Sequence, residues 1–249
     1  MKFSSLYFVT LLIGVLFHSS VLGQQTITFI DSFSNGNSKN WLPVTGSWSF
    51  SNGVVSASEN QGHHFLMNER ADYTDLIMQA DVMKMTDDGK PEHPGLVFRW
   101  LNDTMNYVFR INGYGLDGAS WIQLMCNMDN RNQNVEYIAT VPWGGMSKGV
   151  WYTMKVLTEG SRIQCKVWKK SDPEPSSWNL DVQDTRYTHG LIGLEYFWGT
   201  HQFDNVFVQG QGFPYVSLPV WSRWGIVLFL TLLVGTAVVL LRRRSRPLA

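Results

Sequence analysis

The feature that most limits what this chain can fold into is a rhythm. Between residues 27 and 208, short runs of alternating apolar and polar side chains follow one another, and none holds a sustained 3.6-residue apolar period. ITFIDSF, SWSF, GVVSAS, DLIMQADVMKM, PGLVFRW, NYVFRI, SWIQLM, EYIATV, WYTMKVLTE, RIQCKVWKK, GLIGLEYF and FDNVFVQ are rich in β-branched and aromatic residues, which suit a pleated, half-buried surface. Turn formers separate them: SNG at 51–53, DDG at 87–89, NGYG at 112–115, LDG at 116–118, TEG at 158–160 and SDPEP at 171–175. Short strands joined by tight turns predict an all-β fold, an antiparallel sandwich.

The two ends break that rhythm. Lys2 precedes an apolar stretch from Leu6 to Phe17 that is too short to span a bilayer, and the small residues Val21 and Gly23 fit a signal-peptidase site. Residues 1–23 are therefore expected to be a secretory signal peptide. Near the other end, Gly225 to Leu241 is a run of 17 uncharged residues, at the lower limit for a transmembrane helix. Trp221 and Trp224 stand at its front edge, and Arg242, Arg243, Arg244 and Arg246 follow it, an arrangement that keeps the tail cytoplasmic. The expected organisation is a sandwich over residues 24–210, a linker over 211–224, a membrane helix over 225–241 and a basic tail over 242–249.

Charge supports an extracytoplasmic domain that ignores nucleic acid. The chain has 20 Lys plus Arg and 20 Asp plus Glu, but Lys2, Arg223 and the four tail arginines lie outside residues 24–210. That leaves 14 basic against 20 acidic residues in the domain, a net of −6, with no basic footprint for a phosphate backbone.

Two resemblances sharpen these expectations. LPVWSRWG at 218–225, followed by an apolar helix and arginines, resembles the IPTL-type sorting tail related to the PEP-type tails of exosortase substrates in Gram-negative bacteria. Pro219, Ser222, Trp224 and Gly225 match that pattern; Val220, Trp221 and Arg223 depart from it. The resemblance implies export through the inner membrane, an exosortase-type processing enzyme as a partner, and release to the cell surface after the tail is cut. In the body, FIDSFSNGNSKNWLPVTGSWSFSNGVVSAS, GLVFRWLNDTMNYVFRING and WNLDVQDTRYTHGLIGLEYFWGTHQFDNVFV together resemble the concanavalin A-like (LamG-like) superfamily, nearest to family 66 carbohydrate-binding modules. That implies an all-β fold, an antiparallel two-sheet jelly-roll sandwich; a glycan ligand, with an oligo- or polysaccharide as partner; and a closing strand around Phe203–Val206 that pairs near the first strand.

That closure carries one metal expectation. Asp31 and Asp204 would approach each other and, with backbone carbonyls, offer oxygens to Ca²⁺, as related jelly rolls do. The competing reading has Asp204 bonding turn amides. The cysteines also leave two readings. Cys126 and Cys165 both alternate onto apolar faces, as one disulfide or as two separate buried thiols.

Binding is better supported than catalysis. A retaining glycosidase needs two carboxylates about 5–5.5 Å apart. The Glu-x-Asp-x-x-Glu spacing of laminarinase-like relatives is missing, and Glu195 stands as the one weak catalytic candidate. Sugars, by contrast, rest on aromatic faces with a few polar groups fixing their hydroxyls. Strand alternation places Arg99, Arg110, Trp121, Gln123 and Glu195 out of phase with their apolar neighbours, so they are expected to share one exposed face, with Trp143 and Trp198 on loops at its rim. An ordinary solvated Arg–Glu ladder is the plain alternative. Trp41, Trp48 and Trp151 read as core. His63 and His64 are adjacent, so on a strand they face opposite sides and form no metal pair. The expectation is a non-catalytic, membrane-tethered glycan-binding module; the alternatives are a glycoside-processing hydrolase and a structural surface protein that binds other proteins.

Overall fold

A computed structural model describes residues 23–37, 39–58, 62–86, 93–113, 120–129 and 134–214. Nearly all of the expected signal peptide, the sorting motif, the membrane segment and the basic tail lie outside these residues. Among the described residues there is no helix. The described residues form fourteen strands: β1 (Gln25–Asp31), β2 (Trp41–Pro43), β3 (Trp48–Ser51), β4 (Val54–Ser58), β5 (His63–Lys84), β6 (His93–Asn102), β7 (Met105–Gly113), β8 (Ser120–Cys126), β9 (Glu136–Trp143), β10 (Trp151–Glu159), β11 (Arg162–Lys169), β12 (Leu180–Gln183), β13 (Gly190–Phe197) and β14 (Thr200–Pro214). Every pairing is antiparallel. β14 continues to Pro214, into the stretch expected to be linker.

The ladder runs β12-β11-β10-β5-β13-β6-β7-β8-β9, and β5 carries it from one layer to the other. The first part of β5 pairs with β13, from Phe197 opposite His63 to Gly190 opposite Tyr73. The second part pairs with β10 and with β14, from Gly212 opposite Tyr73 to His201 opposite Lys84. β13 runs from the Tyr73 end toward Phe197, and β14 returns from Thr200 toward Tyr73. His63 and Lys84 therefore lie at the same end, and β5 doubles back near Tyr73. The result is two layers: β2, β5, β13, β6, β7, β8 and β9 in one, and β3, β4, β1, β14, β5, β10, β11 and β12 in the other.

One core fills the space between them, because alternation sends the apolar residues of both layers inward. Leu96, Phe98, Phe109, Ile111, Ile122, Leu124, Leu194 and Tyr196 from the first layer meet Met78, Met154, Val156, Ile163, Val206 and Val208 from the second. Burying each such side chain contributes about 1.5–3 kcal/mol. Phe29, Phe33, Phe203, Val206 and Val208 belong to this core where the first and last strands meet. The β3–β4 hairpin needs left-handed backbone at both turn residues, and Asn52 and Gly53 supply it with φ of 55° and 74°. The free thiols Cys126 and Cys165 are both buried. Of the two readings, the structure has separate thiols: Cys126 ends β8 and accepts a bond from Arg186, whereas Cys165 sits in mid-β11 opposite Val156.

Candidate functional site

Five consecutive strands of the first layer place a row of polar residues on the face turned away from the core. The register runs Glu195 on β13, Gly95 on β6, Arg110 on β7, Gln123 on β8 and Thr140 on β9. Glu195 is 0% exposed. Burial deepens from Thr140, which is open to solvent, through Gln123 and Arg110 to Glu195.

The row is held by short contacts. His63 Nδ1 lies 2.7 Å from Glu195 Oε1, within hydrogen-bond distance, and an ionised carboxylate there accepts the Nδ1–H. Arg110 Nε and Asn112 Nδ2 both donate to Gln123 Oε1, each at 3.0 Å. Glu195 Oε2 and Asn112 Oδ1 are buried acceptors without a hydrogen-bond partner. Gly95 makes room for that carboxylate: a Cβ there would lie 2.8 Å from Glu195 Oε2 and 3.0 Å from Phe109 O. Aromatic rings border the row. Phe197 is flanked in register by His63 and His93, with ring centroids at 4.6 and 5.1 Å. Trp198 sets its edge on Phe197 at 5.4 Å, and half-buried Trp121 stands beside Asn112. Burial, with Arg110, His63 and His201 nearby, holds the His93 imidazole well below its usual pKa, so it is neutral near pH 7.

The structure thus brings Arg110, Gln123, Glu195 and Trp121 to one face, with Trp198 at its end. It does not bring Arg99 there. β6 carries an irregularity between Phe98 and Asn102, and Arg99 takes φ +47°. The alternation slips: Trp100 packs with Val97 and Met125 on the outer side, and Arg99 turns into the opposite end of the sandwich. There, 1% exposed, it donates to Thr74 O, Tyr187 O, Gly160 O and Asp75 Oδ1. Trp143 also departs from the expected rim, because its ring points inward and meets Tyr152 edge-on at 5.6 Å. His63, His93, Asn112 and Phe197 complete the cluster and were not singled out from sequence as binding residues. His63 shares strand parity with Phe65, but only the β5–β13 pairing shows that it reaches Glu195. His64 faces the other way, onto Tyr196.

The expected calcium pair does not fit its ion. Asp31 uses Oδ1 for Phe33 N and Oδ2 for the Trp41 indole. Asp204 uses Oδ1 for Asn205 N and Oδ2 for Asn205 Nδ2. All four oxygens already accept N–H donors, whereas Ca²⁺ takes six to eight oxygens. Among the described residues, no group of three metal-capable side chains occurs. The Asp204 carboxyl is raised by burial and by neighbouring Asp81 and Asp31.

No family profile and no curated protein matches the sequence. Solved structures do match the fold. Carbohydrate-binding module CBM66 from Bacillus subtilis superposes with a TM-score of 0.55 at 18% identity, covering 70% of this chain and 95% of that one. The VIP36 exoplasmic/lumenal domain in its Ca²⁺/Man3GlcNAc-bound form gives 0.54 at 13% identity, covering 73% and 86%. A xylan β-1,4-xylosidase from Bacillus halodurans gives 0.54 at 9% identity, with this chain spanning 38% of its length. At these identities the likeness is one of fold alone, an antiparallel β-sandwich.

Proposed function

We propose that this chain is a non-catalytic glycan-binding module whose ligand is held on the outer face of the first layer, around Glu195, Arg110, Gln123 and Trp121. The observation that carries this reading is Glu195 Oε2, a wholly buried carboxylate oxygen with no hydrogen-bond partner. Leaving such a group unmet costs about 1–3 kcal/mol or more, and a sugar hydroxyl donated to it recovers that cost. Trp121, Phe197 and Trp198 supply the aromatic surfaces on which a sugar's C–H face rests. The fold neighbours add weight: one is a carbohydrate-binding module, and another holds Man3GlcNAc.

β14 ends at Pro214 beside Ala71, at the Tyr73 end, whereas the polar row lies toward the His63 end. On this reading the module is exported, anchored by residues 225–241, and released if the motif around Pro219, Ser222, Trp224 and Gly225 is processed.

A glycoside-processing hydrolase would need a second carboxylate, and the two hydrogen-bonded groups of the row, His63–Glu195 and Arg110–Gln123–Asn112, contain Glu195 alone. The test is a glycan screen of the detergent-solubilised full chain, with product analysis of each hit. Saturable binding without cleavage, lost in Glu195→Gln, is the expected result. Cleavage abolished by the same substitution would make it a hydrolase. Absence of binding to every glycan would leave a protein partner as the remaining reading.

A further inference from the structure

The second layer has a surface feature at the same end of the sandwich that the polar row does not use. Gly149, Val150, Trp151, Lys170 and Ser171 line an open depression of about 380 Å³. That lies in the size range of small-ligand sites. The sequence reads Trp151 as core; in the structure it is half-buried, and its ring forms part of this wall. The depression is held open by backbone contacts: Gly149 N donates to Lys84 O, and Lys170 N donates to Trp151 O.

Its charge is compensated. Lys170 Nζ sits 2.5 Å from Asp81 Oδ2 and 5.9 Å from the Trp151 ring centre. Asp81 is itself held by Thr153 Oγ1 and Asn205 Nδ2. The remaining wall is an indole, a valine, a serine hydroxyl and glycine backbone. An aromatic wall with a hydroxyl and an ammonium donor, the ammonium offset by Asp81, is the chemistry that takes an uncharged sugar ring.

Its position ties it to the first site. Trp151 pairs with Met83, and His201 pairs with Lys84. His63 pairs with Phe197, and Trp198 and Gly199 join Phe197 to Thr200. Both features therefore open at the end where β13 turns into β14, away from Pro214. We infer that the Trp151–Lys170 depression is a second sugar subsite, which takes a further ring of the same neutral polysaccharide that the Glu195 row binds. This inference rests on the glycan-binding reading above for the identity of the ligand class.

The experiment is native affinity electrophoresis of the detergent-solubilised full chain in gels containing xylan, β-glucan, fructan or mannan, paired with calorimetric titration of the matching mono- and disaccharide. Two variants address the subsite. Trp151→Ala removes the wall, and Ser171→Trp fills the depression from an exposed position without touching the core. Each is expected to weaken polymer binding about five- to tenfold while leaving monosaccharide affinity within about twofold. Glu195→Gln is expected to weaken both ligands. Wild-type polymer affinity in both Trp151→Ala and Ser171→Trp overturns the subsite and leaves the first site standing. So does an equal loss for monosaccharide and polymer. Polymer binding that survives Glu195→Gln but fails in Ser171→Trp keeps the subsite and overturns the Glu195 reading. No retardation of the wild-type chain in any gel overturns both.

Discussion

Arg99 and Glu195 are both wholly buried charged side chains on neighbouring strands of one sheet, yet their surroundings differ in one decisive respect. At the Tyr73 end, the Arg99 guanidinium finds three backbone carbonyls and the Asp75 carboxylate, those of Thr74 and Asp75 at the bend of β5 and those of Gly160 and Tyr187 on connections between strands. At the β13–β14 turn end, Glu195 has His63 on one oxygen and nothing on the other. A satisfied buried charge locks parts of the chain together. An unsatisfied one carries a deficit that a hydrogen-bond donor, from water or from a ligand, would remove. The first end reads as construction; the second is where the proposed ligand would sit.

The largest way to break that contrast is Arg99→Ala. It would orphan the carbonyls of Thr74, Gly160 and Tyr187 together. The expected loss is about 3–5 kcal/mol of unfolding free energy by urea titration, with no selective effect on glycan affinity. An equal or larger loss from Glu195→Gln would reverse the assignment of the two ends.

Acid should strike the turn end first. His201 is 0% exposed there, and burial together with Lys84 pushes its imidazole pKa down to about 3 from an ordinary 6.5. Because the folded value is the lower one, the unfolded chain binds the extra proton across that window. Stability is therefore full above pH 6.5 and is lost as pH falls toward 3, by up to about 1.4 kcal/mol per pH unit from this residue. His93 moves in the same direction, and the Arg99 end has no such group in its clamp. Thermal midpoints between pH 7 and 4.5 should fall steadily, and the slope should flatten in His201→Phe. A slope unchanged by that substitution would remove the acid sensitivity from this end.

Much of this arrangement could be read from parity alone. Leu96 and Phe98, Phe109 and Ile111, Ile122 and Leu124, and Leu194 and Tyr196 go to the core. Arg110, Gln123 and Glu195 go to the opposite face, because each lies in a regular stretch of ladder. Arg99 was misplaced for a local reason. A single residue with φ +47° in β6 resets the alternation, and nothing in GLVFRWLN announces it. His63 was invisible for a global reason: its partner is 132 residues away, and only strand order joins them. Trp143 shows a third limit, since a residue named as a loop platform ends β9 and turns inward.

Gly95→Ala tests the space itself. Its new methyl group would meet Glu195 Oε2 at 2.8 Å, Phe109 O at 3.0 Å and Val108 Cγ1 at 3.1 Å. Two of these are backbone or branched groups with little freedom to yield. The carboxylate, at the end of a flexible side chain, must give way and swing off the row. About 1–3 kcal/mol of stability should be lost, with glycan affinity falling along with it. Retained affinity would mean that the position of Glu195 over Gly95 does not matter to the ligand.

The smallest expected change in stability comes from Glu195→Gln, and it is the most informative. The substitution keeps shape and volume. It also leaves an acceptor oxygen for His63 Nδ1, so urea unfolding should move by less than about 1.5 kcal/mol in either direction. Binding should behave differently. A hydrogen bond from a sugar hydroxyl to a buried carboxylate is charge-assisted and worth roughly twice a neutral one, so affinity should fall about ten- to hundredfold. A structural carboxylate would show the opposite pattern, a large stability loss and unchanged binding. The ratio of the two effects, set beside the same ratio for Arg99→Ala, decides whether the two ends of this sandwich really differ in purpose.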